Sequence, residues 1–294
     1  MRCTSLLLAW TLFVIFRPAV AVAQPLVKVT DSRGGISLVA LLPADGGTSR
    51  LVRHGVDGAQ IASWLLPFAA GALCVHADGT VVAPADGGLA LVDAAGQVKA
   101  RVPGLVYDSL VCTEAHVYAA GRTLRVHRFS VPALKDRATV LEANSWITRL
   151  ISAKDGLLAA ASWDGGVWLI ALAGQTRSTL PGKGSLLDLA VGPGDTFLTL
   201  SDEGQIHTLR DSGAQVHRFK ASGARRLAVG PSGTLALIVG ANAVVLYRQA
   251  GVRWVEARRI KLESPALSGS PVALAAGRWA VLTAAGPFLF GDAP

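Results

Sequence analysis

Short apolar runs, each closed by a tight polar turn, recur along this chain. "ASWDGGVW" (161–168) reads as the end of one strand, a turn and the start of the next. "APADGGLALV" (83–92) repeats that phrase two units earlier. Five segments carry the rhythm, at 73–104, 111–132, 150–182, 189–223 and 227–262. Each opens with an apolar strand, turns through polar residues, and continues with a second and third strand. Most add a fourth, more charged strand. Marker turns fall near Asp78, Glu114, Asp155, Gly194 and Ser232, so the period is about 36 to 41 residues. The first three strands of a unit show little polar alternation, as strands buried on both faces do. Asp-Gly, Gly-Gly, Pro-Gly and Ser-Gly pairs supply the hairpin chemistry. No long segment has a helical period flanked by caps.

A single small sheet of this kind cannot bury a core. Packing several face to face around an axis can, and it leaves only short edges. Both ends of the chain fit the rhythm. Residues 272–294 give three strands, and residues 25–55 give roughly three. The expected architecture is all-β, a ring of about seven four-stranded sheets, with six as the smaller count. Such a ring must close. The expected device is Leu26 to Thr30 pairing beside the Phe288 strand to complete the last sheet.

These segments resemble the WD-repeat and quinoprotein-like β-propeller group. "ARRLAVGPSGTLALIVG" is similar to the start of a WD repeat, "SWDGGV" to its Ser-x-Asp-Gly turn, and "DGGLALVDAAGQV" to a quinoprotein-type blade. The resemblance covers nearly all of the chain from residue 24. The Gly-His pair of WD repeats is missing, and Ile170 stands where their Trp falls. The resemblance implies a β-propeller whose blade hairpins use Ser162 and Asp164 to hold turn amides, with Trp168 packed between blades.

The first residues change the picture of where this happens. Arg2 precedes an apolar stretch from Leu6 to Phe16, and Ala21-Val22-Ala23 follows in a small-x-small pattern. That is a secretory signal peptide over residues 1–23, cut after Ala23, with residues 24–294 forming a single propeller domain. The apolar stretch is too short to span a bilayer, and no later stretch has the length and apolarity of a membrane helix. The expected location is the periplasm or the exterior. Removing Arg2 and Arg17 lowers the formal charge from +8 to about +6. The basic residues are scattered, with clusters at Arg225-Arg226 and at Arg253 to Lys261, and read as a solvated surface. Nucleic acid is not an expected partner of an exported chain.

Candidate chemistry is thin. The six histidines are His54, His76, His116, His127, His207 and His217, and none shows metal-ligand spacing. His76 and His116 lie near the first strands of adjacent units, where they could pair across a channel. Asp78, Glu114, Asp155, Asp188 and Asp195 could gather at one mouth of the ring, although an Asp in a β-turn needs only its own local amides. There is no calcium-loop pattern, no nucleophile elbow and no haem-attachment motif, and "GPGDT" and "GPSGT" lack the lysine of a phosphate loop. No catalytic residue, metal or cofactor is therefore assigned. Cys74 and Cys112 align at matching positions of neighbouring units. They form either a disulfide, in an oxidising compartment, or two small buried hydrophobes.

Three functions remain. The leading one is an exported, non-catalytic protein-binding module whose loops hold a protein partner. The second is a propeller enzyme or redox-associated subunit, lactonase-like or dehydrogenase-associated, using the channel mouth. The third is a structural envelope protein held by its basic surface.

Overall fold

The computed structural model describes residues 26–30, 35–76, 78–153, 156–171, 176–181, 184–194, 196–210, 212–251, 253–267, 269–274 and 277–292. The predicted signal segment and the turn acids Asp155 and Asp195 lie outside them. Among the described residues the strands form seven antiparallel sheets, each a meander of consecutive strands. Blade 1 holds β1 (Leu26–Thr30), β2 (Ile36–Ala44), β3 (Thr48–Gly55) and β4 (Gln60–Leu66). Blade 2 holds β5 (Cys74–Val75), β6 (Val81–Ala85), β7 (Gly88–Val92) and β8 (Val98–Pro103). Blade 3 holds β9 (Tyr107–Cys112), β10 (His116–Gly121), β11 (Arg125–Ser130) and β12 (Lys135–Glu142). Blade 4 holds β13 (Ile147–Ser152), β14 (Leu157–Ser162), β15 (Gly166–Ala171) and β16 (Thr176–Pro181). Blade 5 holds β17 (Leu186–Val191), β18 (Thr196–Ser201), β19 (Gln205–Arg210) and β20 (Gln215–Lys220). Blade 6 holds β21 (Ala224–Val229), β22 (Leu235–Val239), β23 (Ala243–Ala250) and β24 (Arg253–Lys261). Blade 7 holds β25 (Val272–Ala273), β26 (Arg278–Thr283) and β27 (Gly286–Gly291).

The apolar runs follow from this geometry. Strand side chains alternate between the two faces of a sheet. In β14, Leu158 and Ala160 pack toward blade 3, while Ala159 and Ala161 pack toward blade 5. Both faces meet a neighbouring blade, so both must be apolar, and small residues let the blades approach. The fourth strand is at the rim. There β20 alternates between exposed and half-buried positions, which is why the outer strands carry charge. Among the described residues seven apolar clusters result, one between each pair of consecutive blades. Trp168 belongs to the cluster between blades 3 and 4.

Closure differs from the sequence expectation. β1 pairs with β2, Leu26 opposite Ala40 through Thr30 opposite Ile36, and so is the inner strand of blade 1. It does not complete blade 7, which has three strands among the described residues, while the other six blades have four. The ring shuts through side chains instead. Leu26, Leu38 and Ala40 of blade 1 pack on Leu274, Ala280 and Leu282 of blade 7. Arg278 Nη2 donates to the Val56 carbonyl at 2.9 Å. The pattern Leu-Val-Lys-Val-Thr suits an inner or an outer strand equally, and the choice is made by that apolar seam.

Candidate functional site

The innermost strand of each blade has a strand neighbour on one edge only. Amides on its other edge point toward the axis and need acceptors from elsewhere. One repeated position lies beside these amides, and in two blades its side chain supplies the acceptor. In blades 2 to 7 it is the fourth residue before the amide that closes the first hairpin: Ala72, Ser109, Arg149, Asp188, Arg226 and Ser270. The next residue is Leu73, Leu110, Leu150, Leu189, Leu227 and Pro271. Ser109 of blade 3 accepts from the Leu150 amide of blade 4 at 2.8 Å. Asp188 of blade 5 accepts from the Leu227 amide of blade 6 at 2.9 Å, and from its own neighbour Leu189 at 3.0 Å. After Arg226, which has no acceptor to offer, the next blade presents Pro271, which has no N–H to satisfy.

Asp188 is fully buried and is the hub of this belt. Arg149 Nε lies 3.0 Å from its Oδ1, and the Ser270 hydroxyl donates to its Oδ2 at 3.0 Å. Arg149 Nη2 in turn donates to the Ser270 oxygen at 3.3 Å. Residues of blades 4, 5 and 7 thus meet across the channel. Arg226 faces the same group: burial pushes its guanidinium pKa down, Asp188 pulls it back up, and Arg149 and Arg225 add to the lowering. A cavity of about 300 Å³ lies on the axis beside the belt, lined by Lys28, Arg149 and Ser270 and by apolar residues such as Leu26, Val229 and Pro271.

A second feature occupies one end of the ring. The connections that enter blades 3 and 4 and the turns after their second strands share this end. They carry five large exposed apolar side chains: Leu105 (40%), Val106 (55%), Leu124 (46%), Trp146 (52%) and Trp163 (40%). The Trp163 amide donates to the Trp146 carbonyl at 2.9 Å, which holds the two indole-bearing loops side by side. Charged pairs flank Leu124: Arg122 with Asp108 at 3.8 Å and Arg125 with Glu142 at 2.9 Å. Burial raises the Asp108 carboxyl above its ordinary range, and Arg122 opposes the rise.

The residues singled out from sequence scatter. Asp78 accepts from the Thr80 amide at 2.8 Å in its turn. Burial works against its charge, but the Thr80 amide and hydroxyl and His76 together hold its carboxyl below the ordinary value. Glu114 is an exposed turn residue whose carbonyl accepts from His76 Nε2 at 2.6 Å, across two blades. His116 packs beside Tyr118, while His76 turns to the Glu114 carbonyl and the Asp78 carboxylate. His54 meets the Gly58 carbonyl, His127 the Tyr107 hydroxyl, and His207 the Gln215 amide, and His217 stacks on Phe219. Among the described residues no three His, Cys, Asp or Glu side chains converge as metal ligands, and no helix is long and apolar enough to cross a membrane.

Asp188 is the exception to the turn reading of the acids, because it stands within a strand. The Arg225-Arg226 pair also departs from a solvated surface: Arg225 is exposed, while Arg226 turns into the belt. Arg149 and Ser270 were not signalled by any motif. In the "SWDGGVW" turn, the Ser162 hydroxyl donates to the Asp164 carboxylate. Gly166 N donates to Ser162 Oγ at 3.1 Å and reaches the Asp164 carboxylate at 3.4 Å. Gly165 adopts φ 93°, a conformation that favours glycine. The Cys74 and Cys112 sulfurs are bonded, with Cα atoms 5.5 Å apart. Counted back from the hairpin-closing amides of His76 and Thr113, the two cysteines are offset by one position rather than matched.

No protein-family profile matches the chain, and no curated protein matches it in sequence. Solved structures do match in fold. A chain of the mitotic checkpoint complex aligns over 92% of this chain and 89% of its own, at 14% identity and a TM-score of 0.72. The WD40 repeats of RRP9 align over 88% and 86%, at 13% identity and 0.70. The virginiamycin B lyase of Staphylococcus aureus aligns over 91% and 94%, at 12% identity and 0.70. The chain has the fold of the WD-repeat and lyase-type β-propellers, with strongly diverged repeats.

Proposed function

We propose that the chain is an exported, non-catalytic protein-binding module, residues 24–294 after cleavage, that seats an apolar segment of a partner protein on the end of blades 3 and 4. The observation that carries this is the patch of Leu105, Val106, Leu124, Trp146 and Trp163, on one end of two adjacent blades. Exposed apolar side chains grouped on one end, with charged pairs beside them, are the composition of a protein interface. Tryptophan is among the residue types enriched at the hot spots of such surfaces. Fold relatives give precedent, since one of them is a chain of a multi-protein complex. Export is supported by the Cys74–Cys112 bond, because such bonds persist in oxidising compartments.

The test is the double substitution Trp146→Ala, Trp163→Ala, followed by thermal unfolding and by co-purification of partners from the native compartment. Both side chains are about half exposed, so melting should change little while partner recovery is lost. Recovery equal to that of the unsubstituted protein would overturn the docking site. N-terminal sequencing of the purified protein should begin at Gln24. A product that retains Met1 would overturn export.

A further inference from the structure

We propose that the outer edge of blade 7 takes an extended strand of a partner protein as its fourth strand, acidic at its leading end and rich in β-branched residues behind it. Among the described residues β27 pairs with β26 only, whereas the third strand of every other blade has a fourth beside it. The difference shows in burial. β7, β15, β19 and β23 each bury at least four consecutive residues. No residue of β27 is buried, although Pro287, Phe288, Leu289 and Phe290 are all apolar. The neighbouring blades are bare at the same place. Leu65 of β4 lies opposite Arg50, and Arg50 opposite Leu42, on the face that packs toward blade 7. Val255 of β24 lies opposite Arg248, whose side chain reaches the Asp292 carbonyl just beyond β27. Leu65 and Val255 are both exposed, and a strand added to β27 would run between them.

The edge is recessed. β4 and β24 stand one strand farther out than β27, about 4.8 Å. A second copy carries its β27 equally recessed, so two such edges do not meet, while a lone extended segment enters and pairs with the backbone. Pro287 offers no donor, so Phe288 to Gly291 carry the ladder. The added strand runs antiparallel to β27, as the fourth strands of the other blades do to their third, and so starts beside Gly291. Two exposed arginines stand at that end. Arg278, in register with Gly291, donates to the Val56 carbonyl at 2.9 Å, and Arg248 donates to the Asp292 carbonyl at 3.2 Å. Among the described residues neither forms an ion pair with a carboxylate. Acidic residues at the leading end of the strand complement them. Behind that end, Leu65 and Val255 favour β-branched side chains.

Fluorescence anisotropy of the full purified chain with the labelled peptide Asp-Glu-Ser-Val-Thr-Ile-Thr-Val, joined to hydrogen exchange over residues 286–291, tests this. The peptide should bind and slow exchange at 286–291. A peptide with Lys-Lys in place of Asp-Glu should bind at least about tenfold more weakly, and so should one with Pro in place of both Thr residues, which removes main-chain donors. Leu65→Ser with Val255→Ser changes only exposed side chains, so it should keep the melting temperature and weaken the peptide about tenfold. The Trp146→Ala, Trp163→Ala protein should bind the peptide normally, which separates this edge from the docking face. The proposal fails if the peptide does not bind or leaves exchange at 286–291 unchanged. It fails if the Lys or Pro peptide binds as well, or if the Leu65→Ser, Val255→Ser protein binds like the parent. Slow exchange at 286–291 without peptide also overturns it: at every protein concentration the chain's own residues fill the edge, and at high concentration alone a second copy does.

Discussion

Two arcs of the inner wall solve one problem differently. In blades 2 and 3 the wall is neutral: Ser109 receives the next blade's amide, and Cys74 and Cys112 join the two blades covalently. In blades 4 to 7 the same ring position holds Arg149, Asp188, Arg226 and Ser270. A hydroxyl satisfies an axial amide at no electrostatic cost. A carboxylate satisfies two amides but brings a buried charge, which must be paired. Arg149 supplies that pairing, and the charge of Asp188 is also felt by Arg226. One half of the wall is therefore inert, and the other half is polarised and faces a cavity.

This contrast can be broken most sharply at Asp188. Asp188→Ala takes the carboxylate away from Arg149 and strands the Leu189 and Leu227 amides. The expected loss is about 3 to 5 kcal/mol in chemical denaturation. A loss below about 1 kcal/mol would mean that the ionic arc is wet and contributes little. On the neutral arc, Cys74→Ala with Cys112→Ala removes a link between residues 38 apart, and about 2 to 4 kcal/mol should go with it. If reduced and oxidised protein unfold alike, the apolar cluster between blades 2 and 3 holds that arc unaided. The smallest expected effect is at Ser109→Ala. It leaves the buried Leu150 amide without its acceptor, at a cost of about 1 to 3 kcal/mol. A larger loss for Ser109→Ala than for Asp188→Ala would reverse the ranking of the two arcs.

The repeat, the hairpins and the doubly buried strands were readable because each is a local pattern: Leu158 to Ala161 must be apolar wherever two blades flank them. Closure was not readable locally. Whether Leu26 to Thr30 lies inside or outside a blade depends on Leu274 and Leu282, at the far end of the chain. The belt was missed for a narrower reason. Units read from Leu150, Leu189 and Leu227 onward begin one residue after Arg149, Asp188 and Arg226. A polar residue at that place in successive repeats shows only when the units are aligned one step earlier. The end-face patch is invisible to strand parity, because Trp163 sits in a turn while Trp168, also in blade 4, is buried in the strand beyond it.

The seam between blades 7 and 1 also sets an order of events in time. The belt contact between Asp188 and Leu227 spans 39 residues, while the Arg278 contact with Val56 spans 222. Loop-closure entropy makes the longer contact costlier by about 1.5 kcal/mol, so it is disfavoured by roughly an order of magnitude relative to its neighbours. Closure entropy therefore favours the pairing of neighbouring blades over the meeting of the first and last blades. Until that seam forms, the faces bearing Leu38 and Leu282 lack the cover they give each other. The newly made chain is then most exposed to chaperones, proteases and its own copies.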